Sequence, residues 1–141
     1  MARSNGGIIG VSNKTSFGKC KVTSITSSGP TSPALAATQP GTRFVDTLIV
    51  AGGGGGGPSP GGSGGGGGAG GVRTISSIPV CGNTALGAAV VGAGGAAYTD
   101  GDNSSIIIGC TTYTAEGGGK GAKSFCGSAA AATGGSGGGG Q

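Results

Sequence analysis

The chain has no histidine and no tryptophan, only 9% charged residues and only 4% aromatic ones. Without histidine it lacks the one side chain that ordinarily titrates near neutral pH, and with it the commonest general base and metal ligand. The four acids are Asp46, Asp100, Asp102 and Glu116, and only Asp100 and Asp102 lie close together, in a stretch that reads as a turn. That turn lacks the sixth-position glycine and the closing acid of a helix-loop-helix calcium loop. A phosphate loop of the Walker kind needs Gly-Lys-Ser/Thr, but Gly18-Lys19 runs into Cys20 and Gly119-Lys120 into Gly121. The expectation is a non-enzymatic protein with no cofactor and no metal.

Long apolar runs are missing too. No stretch of about 18 apolar residues could cross a membrane as a helix, so no membrane insertion is expected. The first 20 residues carry no apolar core of a secretory leader, which points to a chain made in the cytoplasm. The Asn13-Lys14-Thr15 and Asn103-Ser104-Ser105 acceptor patterns are then coincidental. Helix is disfavoured by the glycine and β-branched content, and the short alanine run at 129–132 is too brief to stand alone. No strict Gly-X-Y period is present, which excludes collagen. The four cysteines, Cys20, Cys81, Cys110 and Cys126, form no C-x-x-C pair and have no histidine beside them, so a zinc site is not expected. Free thiols are the default in a reducing compartment; a disulfide, if formed, joins two of Cys81, Cys110 and Cys126.

What the chain does have is glycine, 39 of 141 residues, against roughly 7% in ordinary proteins. Glycine and alanine bury little apolar surface, the main driving force of folding, and glycine loses the most backbone entropy on ordering. Such a chain either stays disordered or packs backbone against backbone, within and between subunits. Low charge, a mean hydropathy of +0.14 and clusters such as Thr47-Leu48-Ile49-Val50 and Ile106-Ile107-Ile108 favour packing.

The pattern divides the chain in two. Residues 1–43 read as an extended basic N-terminal arm and linker, with short β-like pieces at 8–11 and 21–25 and breaks at Pro30, Pro33 and Pro40. Residues 1–45 carry Arg3, Lys14, Lys19, Lys21 and Arg43 with no acid. Those charges are too sparse for a nucleic-acid footprint, so no nucleic-acid partner is expected. Residues 44–141 read as a glycine-rich β domain. Strands are expected at 44–51, 72–78, 88–91, 104–108 and 111–115, with turns at 79–83 and at Asp100-Gly101. The glycine runs at 52–57 and 64–68, around Pro58-Ser59-Pro60, admit two readings: a flexible linker, or three-fold polyglycine II helices that pack at backbone distance and share N–H···O and Cα–H···O bonds. The fold class is therefore all-β: short strands joined by glycine-rich, polyglycine II-like connections after an extended arm, with no substantial helix. The dispersed rings Phe17, Phe44, Tyr98, Tyr113 and Phe125 read as packing anchors, with an exposed tyrosine free to contribute to a receptor contact.

The segment Thr47-Leu48-Ile49-Val50-Ala51-Gly52, running through the glycines to Ala69-Gly70-Gly71-Val72, carries a family likeness. So do Ala89-Val90-Val91-Gly92-Ala93-Gly94-Gly95 and the Asn103-Ser104-Ser105 turn. Together they resemble the glycine-rich domain of bacteriophage tail-fibre and related virion proteins. Arg3-Ser4-Asn5-Gly6-Gly7-Ile8-Ile9-Gly10 and Thr15-Ser16-Phe17-Gly18-Lys19 look like the openings of virion-associated proteins of marine phages. Ile106-Ile107-Ile108 departs from the family's more usual Phe-Gly after the Asn-Ser-Ser turn. The resemblance implies a virion location and a structural role as tail fibre, head fibre or capsid decoration protein. Its partners would be copies of itself, by analogy a homotrimer, other virion proteins and a host-surface receptor. The arm would anchor through Ile8, Ile9, Val11, Phe17, Lys19 and Lys21, and self-association would use Leu48, Ile49, Val50 and the glycine runs. The alternative is a subunit of an extracellular filament, held together when an N-terminal segment adds as a strand to the next subunit.

Overall fold

A computed structural model describes residues 22–30, 35, 37–58, 64–123 and 130–139. The chain is all-β, with no helix among the described residues. Its strands are β1 (Gly29–Pro30), β2 (Phe44–Val50), β3 (Val72–Pro79), β4 (Ala89–Val91), β5 (Ser104–Ile108) and β6 (Thr111–Ala115). All pairings are antiparallel. They make a four-stranded sheet ordered β1-β4-β5-β6 and a two-stranded sheet of β2 and β3.

The strands form where β-branched residues concentrate, since these pack well on a pleated surface. β5 and β6 are joined by the two-residue turn Gly109-Cys110, with Gly109 at φ 63°, as a type II′ hairpin requires. β2 and β3 hold a bulge at which Asp46 faces Ser76 and Ser77. Ser77 has φ 58°, and its N–H donates to Asp46 Oδ1 at 2.7 Å. The two sheets stack through a small core: Ile49, Ala51 and Ala115 are buried, with Ile75, Ile106 and Tyr113 packed on them.

Past the last β-branched residue the strands do not end; their hydrogen-bond period changes. The β2–β3 register places Val50 opposite Val72. Beyond it, Ala51 N–H donates to the Gly71 carbonyl, Gly54 to Gly68 and Gly57 to Gly65. The partners keep the same register, but only every third residue donates to this neighbour instead of every second. A period of three is that of the polyproline II-type helix. The intervening residues turn to other neighbours: Gly52 and Gly55 donate to Asp102 and Thr99, while the carbonyls of Gly53 and Gly56 accept from Gly95 and Tyr98. The β4–β5 register likewise runs on through Asp102 N–H to the Ala93 carbonyl, up to the turn closed by Thr99 N–H on Ala96. The glycine runs are therefore ordered polyglycine II-type rods and not a flexible linker. They continue the two sheets as a bundle of rods at 51–58, 64–71, 92–97, 99–103, 116–122 and 134–139.

The rod at 116–122 is the centre of the bundle. Gly117, Gly118, Gly119, Gly121 and Ala122 are all buried. Every amide from Gly117 to Ala122 is bonded. Gly118 and Gly121 donate to Gly52 and Gly55, and Gly119 and Ala122 donate to Ser136 and Gly139. Gly117 and Lys120 donate to the side chains of Asn103 and Asp100. Here the core of the domain is a bare backbone.

Glycine is required at these positions by proximity. A Cβ would stand 1.9 Å from the Ala93 oxygen at Gly52, 1.8 Å from Ala96 at Gly55 and 1.7 Å from Ala122 at Gly57. The glycine hydrogens there point at carbonyl oxygens, the Cα–H···O geometry worth about 0.5–1 kcal/mol each. Every third position is different. A Cβ at Gly53 or Gly56 would meet nothing nearer than 3.5 Å, and one at Gly66 nothing within 4 Å. Three residues after Gly66 the sequence itself places Ala69, exposed.

Three sequence expectations shift. Residues 22–25 form no strand; the pairing falls instead on Gly29–Pro30, at the sheet edge where proline is tolerated. The segment read as a linker also holds the Ala37–Ala85 bridge and the Thr38 N–H to Thr84 carbonyl bond. The turn expected at Asp100-Gly101 closes at 96–99 with Tyr98 at φ 59°. The β4–β5 register carried into the rods sets its position. The piece expected at 8–11 lies outside the described residues.

Candidate functional site

Because side chains alternate along a strand, β2 and β3 each send one set into the core and the other outward. The outward set is mainly apolar, with Asp46 and Thr74 as its polar members. Phe44 is 62% exposed, Leu48 67%, Val50 52% and Val72 66%. Register brings them together, since Val50 faces Val72, Leu48 faces Thr74 and Phe44 faces Pro79. The charge on this face is Asp46, whose carboxylate is already engaged by the Ser77 amide. Isolated exposed apolar residues are ordinary, but a contiguous patch marks an interaction surface.

Of the residues expected to mediate self-association, Leu48 and Val50 stand on this face. Ile49, 7% exposed, points inward and packs on Ala51 and Ala115. Sequence reasoning did not pick out Phe44 and Val72. Period-two alternation from Leu48 and Val50 finds Phe44, but Val72 needs the β2–β3 register, which is not local information. Ile8, Ile9, Val11, Phe17, Lys19, Lys21 and Cys126 lie outside the described residues. Cys81 and Cys110 are unpaired and exposed, beside the Gly82-Asn83 turn and in the β5–β6 turn.

The face is held in place from behind. Ser104, 3% exposed, donates its Oγ–H to the Val50 carbonyl at 2.7 Å and accepts from Gly92 N–H at 2.8 Å. One hydroxyl thus ties β5, the end of β2 and the end of β4 together where strands become rods. Asn103 Oδ1 accepts from Gly117 N–H and Asp100 Oδ1 from Lys120 N–H, each at 2.8 Å. These two side chains are three residues apart, matching the rod's turn, and satisfy the row of central-rod amides that bonds to no backbone carbonyl. Arg73 reaches under the sheet to the Thr114 carbonyl at 3.1 Å, with its guanidinium 5.7 Å from the Tyr113 ring centre. Lys120 Nζ lies 4.6 Å from the Tyr98 ring centre. Among the described residues no three His, Cys, Asp or Glu side chains gather where they could hold a metal ion.

Residues 26–141 match the family model of the glycine-rich domain. No curated protein and no solved structure matches the chain.

Proposed function

The chain belongs to the glycine-rich domain family, and on that premise we propose that it is a non-enzymatic structural protein of a virus particle, a phage fibre or capsid decoration subunit. It associates with copies of itself and anchors to the particle or to a neighbouring subunit through its N-terminal arm. The observation that carries this reading is the pairing of a side-chain-free, hydrogen-bonded interior with an exposed apolar face of Phe44, Leu48, Val50 and Val72. A chain with 9% charged residues that leaves such a face uncovered is suited to assembly. The resemblance of its strand-to-glycine junctions to those of phage fibre domains supports the virion setting, with a homotrimer by analogy.

The test is the native mass and shape of the purified chain, by light scattering with negative-stain microscopy. A small closed oligomer, above all a trimer, is the expected result. Filaments of indefinite length would move the assignment to the filament subunit, and a persistent monomer would overturn self-association.

A further inference from the structure

The β2–β3 face is too small to bind a whole subunit by itself. Strands of seven and eight residues, at about 3.3 Å per residue and about 4.8 Å per strand, present on the order of 250 Å². A stable interface between two folded proteins takes about 800 Å² per partner. A single extended segment needs far less, because main-chain bonds to a sheet edge supply the affinity and alternate side chains the specificity. The β2–β3 sheet offers both features: an apolar face, and outer edges that no strand pairs among the described residues.

The chain itself contains a segment that fits. Ahead of Val22, the first described residue, 21 residues carry the apolar run Ile8-Ile9-Gly10-Val11, the bases Arg3, Lys14, Lys19 and Lys21, and no acid. The charge on the receiving face is Asp46, the first acid in the chain. The arm leads to β1, the far edge of the four-stranded sheet, whereas β2 and β3 lie over β5 and β6.

We propose that the β2–β3 sheet is the acceptor for residues 8–11 of a neighbouring copy, which add to it as a strand with Ile9 and Val11 against Leu48, Val50 and Val72. This rests on the self-association proposed above and names the surface and the segment that perform it. Each subunit then has one donor and one acceptor, so assembly is head-to-tail and closes into a ring or trimer only if the rotation permits.

The test uses the full chain and two variants, Leu48→Lys on the face and Ile9→Asp/Val11→Asp in the arm. Leu48 is 67% exposed, so its variant is expected to melt as the parent does; Val72→Lys, equally exposed, is the substitute if it does not. Light scattering is expected to show each variant assembling at least tenfold more weakly than the parent. Mixed together, the two variants should form a one-to-one pair, because one retains an intact arm and the other an intact face. No pair on mixing, or a face variant that assembles as the parent does, overturns the acceptor assignment while leaving self-association standing. A parent that is monomeric at every concentration overturns both.

Discussion

At the scale of single residues, a glycine in this chain is either indispensable or replaceable, and its phase along the rod decides which. A Cβ at Gly55 would lie 1.8 Å from the Ala96 oxygen, backbone against backbone, so neither side has a flexible end that can yield. Gly55→Ala is expected to destabilise by about 3 kcal/mol or more, the upper end of over-packing costs, read as a fall of at least roughly 10 °C in melting temperature. Gly53→Ala, two residues earlier, is expected to be near neutral. Gly66→Ala, with open space and no left-handed φ, is expected to stabilise by about 0.4–1 kcal/mol by restricting the unfolded chain. Equal costs at Gly53 and Gly55 would refute the rod packing. Asn103 gives a second contrast. Its Oδ1 is the partner of the buried Gly117 amide, so Asn103→Ala should cost about 1–3 kcal/mol for an amide left unsatisfied. Asn103→Asp keeps the acceptor and should lose much less, as chemical denaturation of the two variants will show. The importance of Asn103 and Ser104 was legible only as a motif. That one side chain stands in for a backbone carbonyl and the other ties three elements together depends on contacts 14 and 54 residues away.

At the scale of elements, strand and rod are one antiparallel pairing with two hydrogen-bond periods. The strands were legible because β-branched alternation is a local signal: the expected pieces at 72–78, 104–108 and 111–115 fall on β3, β5 and β6. The glycine runs were not decidable from sequence, because identical residues carry no periodicity and a flexible linker has the same composition. What decides between them is the set of neighbours, brought together by registers that the strands fix first. The consequence is measurable by amide hydrogen exchange. In the rod at 51–58, Gly52, Gly54, Gly55 and Gly57 donate hydrogen bonds within the bundle, while Gly53 and Gly56 are exposed and their amides donate to no acceptor among the described residues. Fast exchange is expected at every third residue, Gly53 and Gly56, between slowly exchanging neighbours. The central rod should show no fast position from Gly117 to Ala122. Uniform fast exchange through both runs would mean that the rods do not persist in solution.

At the scale of the whole molecule, the domain replaces an apolar side-chain core with a polar backbone one, and its thermodynamics should record the difference. Unfolding raises the heat capacity by about 0.45 cal/mol/K per Å² of apolar surface exposed and lowers it by about 0.26 per Å² of polar surface. Here the side-chain core is small, centred on Ile49, Ala51 and Ala115, while the buried Gly117, Gly118, Gly119, Gly121 and Ala122 contribute peptide groups with almost no side chain. The positive contribution is therefore reduced and the negative one enlarged. Ordinary domains show about 12–15 cal/mol/K per residue; this one is expected to fall below about 10, measured by calorimetry over a range of melting temperatures. A smaller heat capacity change flattens the stability curve, so stability should vary little across ambient temperatures and cold denaturation should recede. The loss of hydrophobic driving force also explains why the apolar side chains the chain does possess matter twice. On β2, Ile49 goes inward to the only substantial cluster of side chains among the described residues, and Leu48 and Val50 remain outside. If association covers that outer face, the assembled form buries apolar surface that the isolated subunit exposes. Its heat capacity change per subunit should then exceed that of the Leu48→Lys variant. Equal values for parent and variant, under conditions where the parent is assembled, would place the contact elsewhere on the molecule.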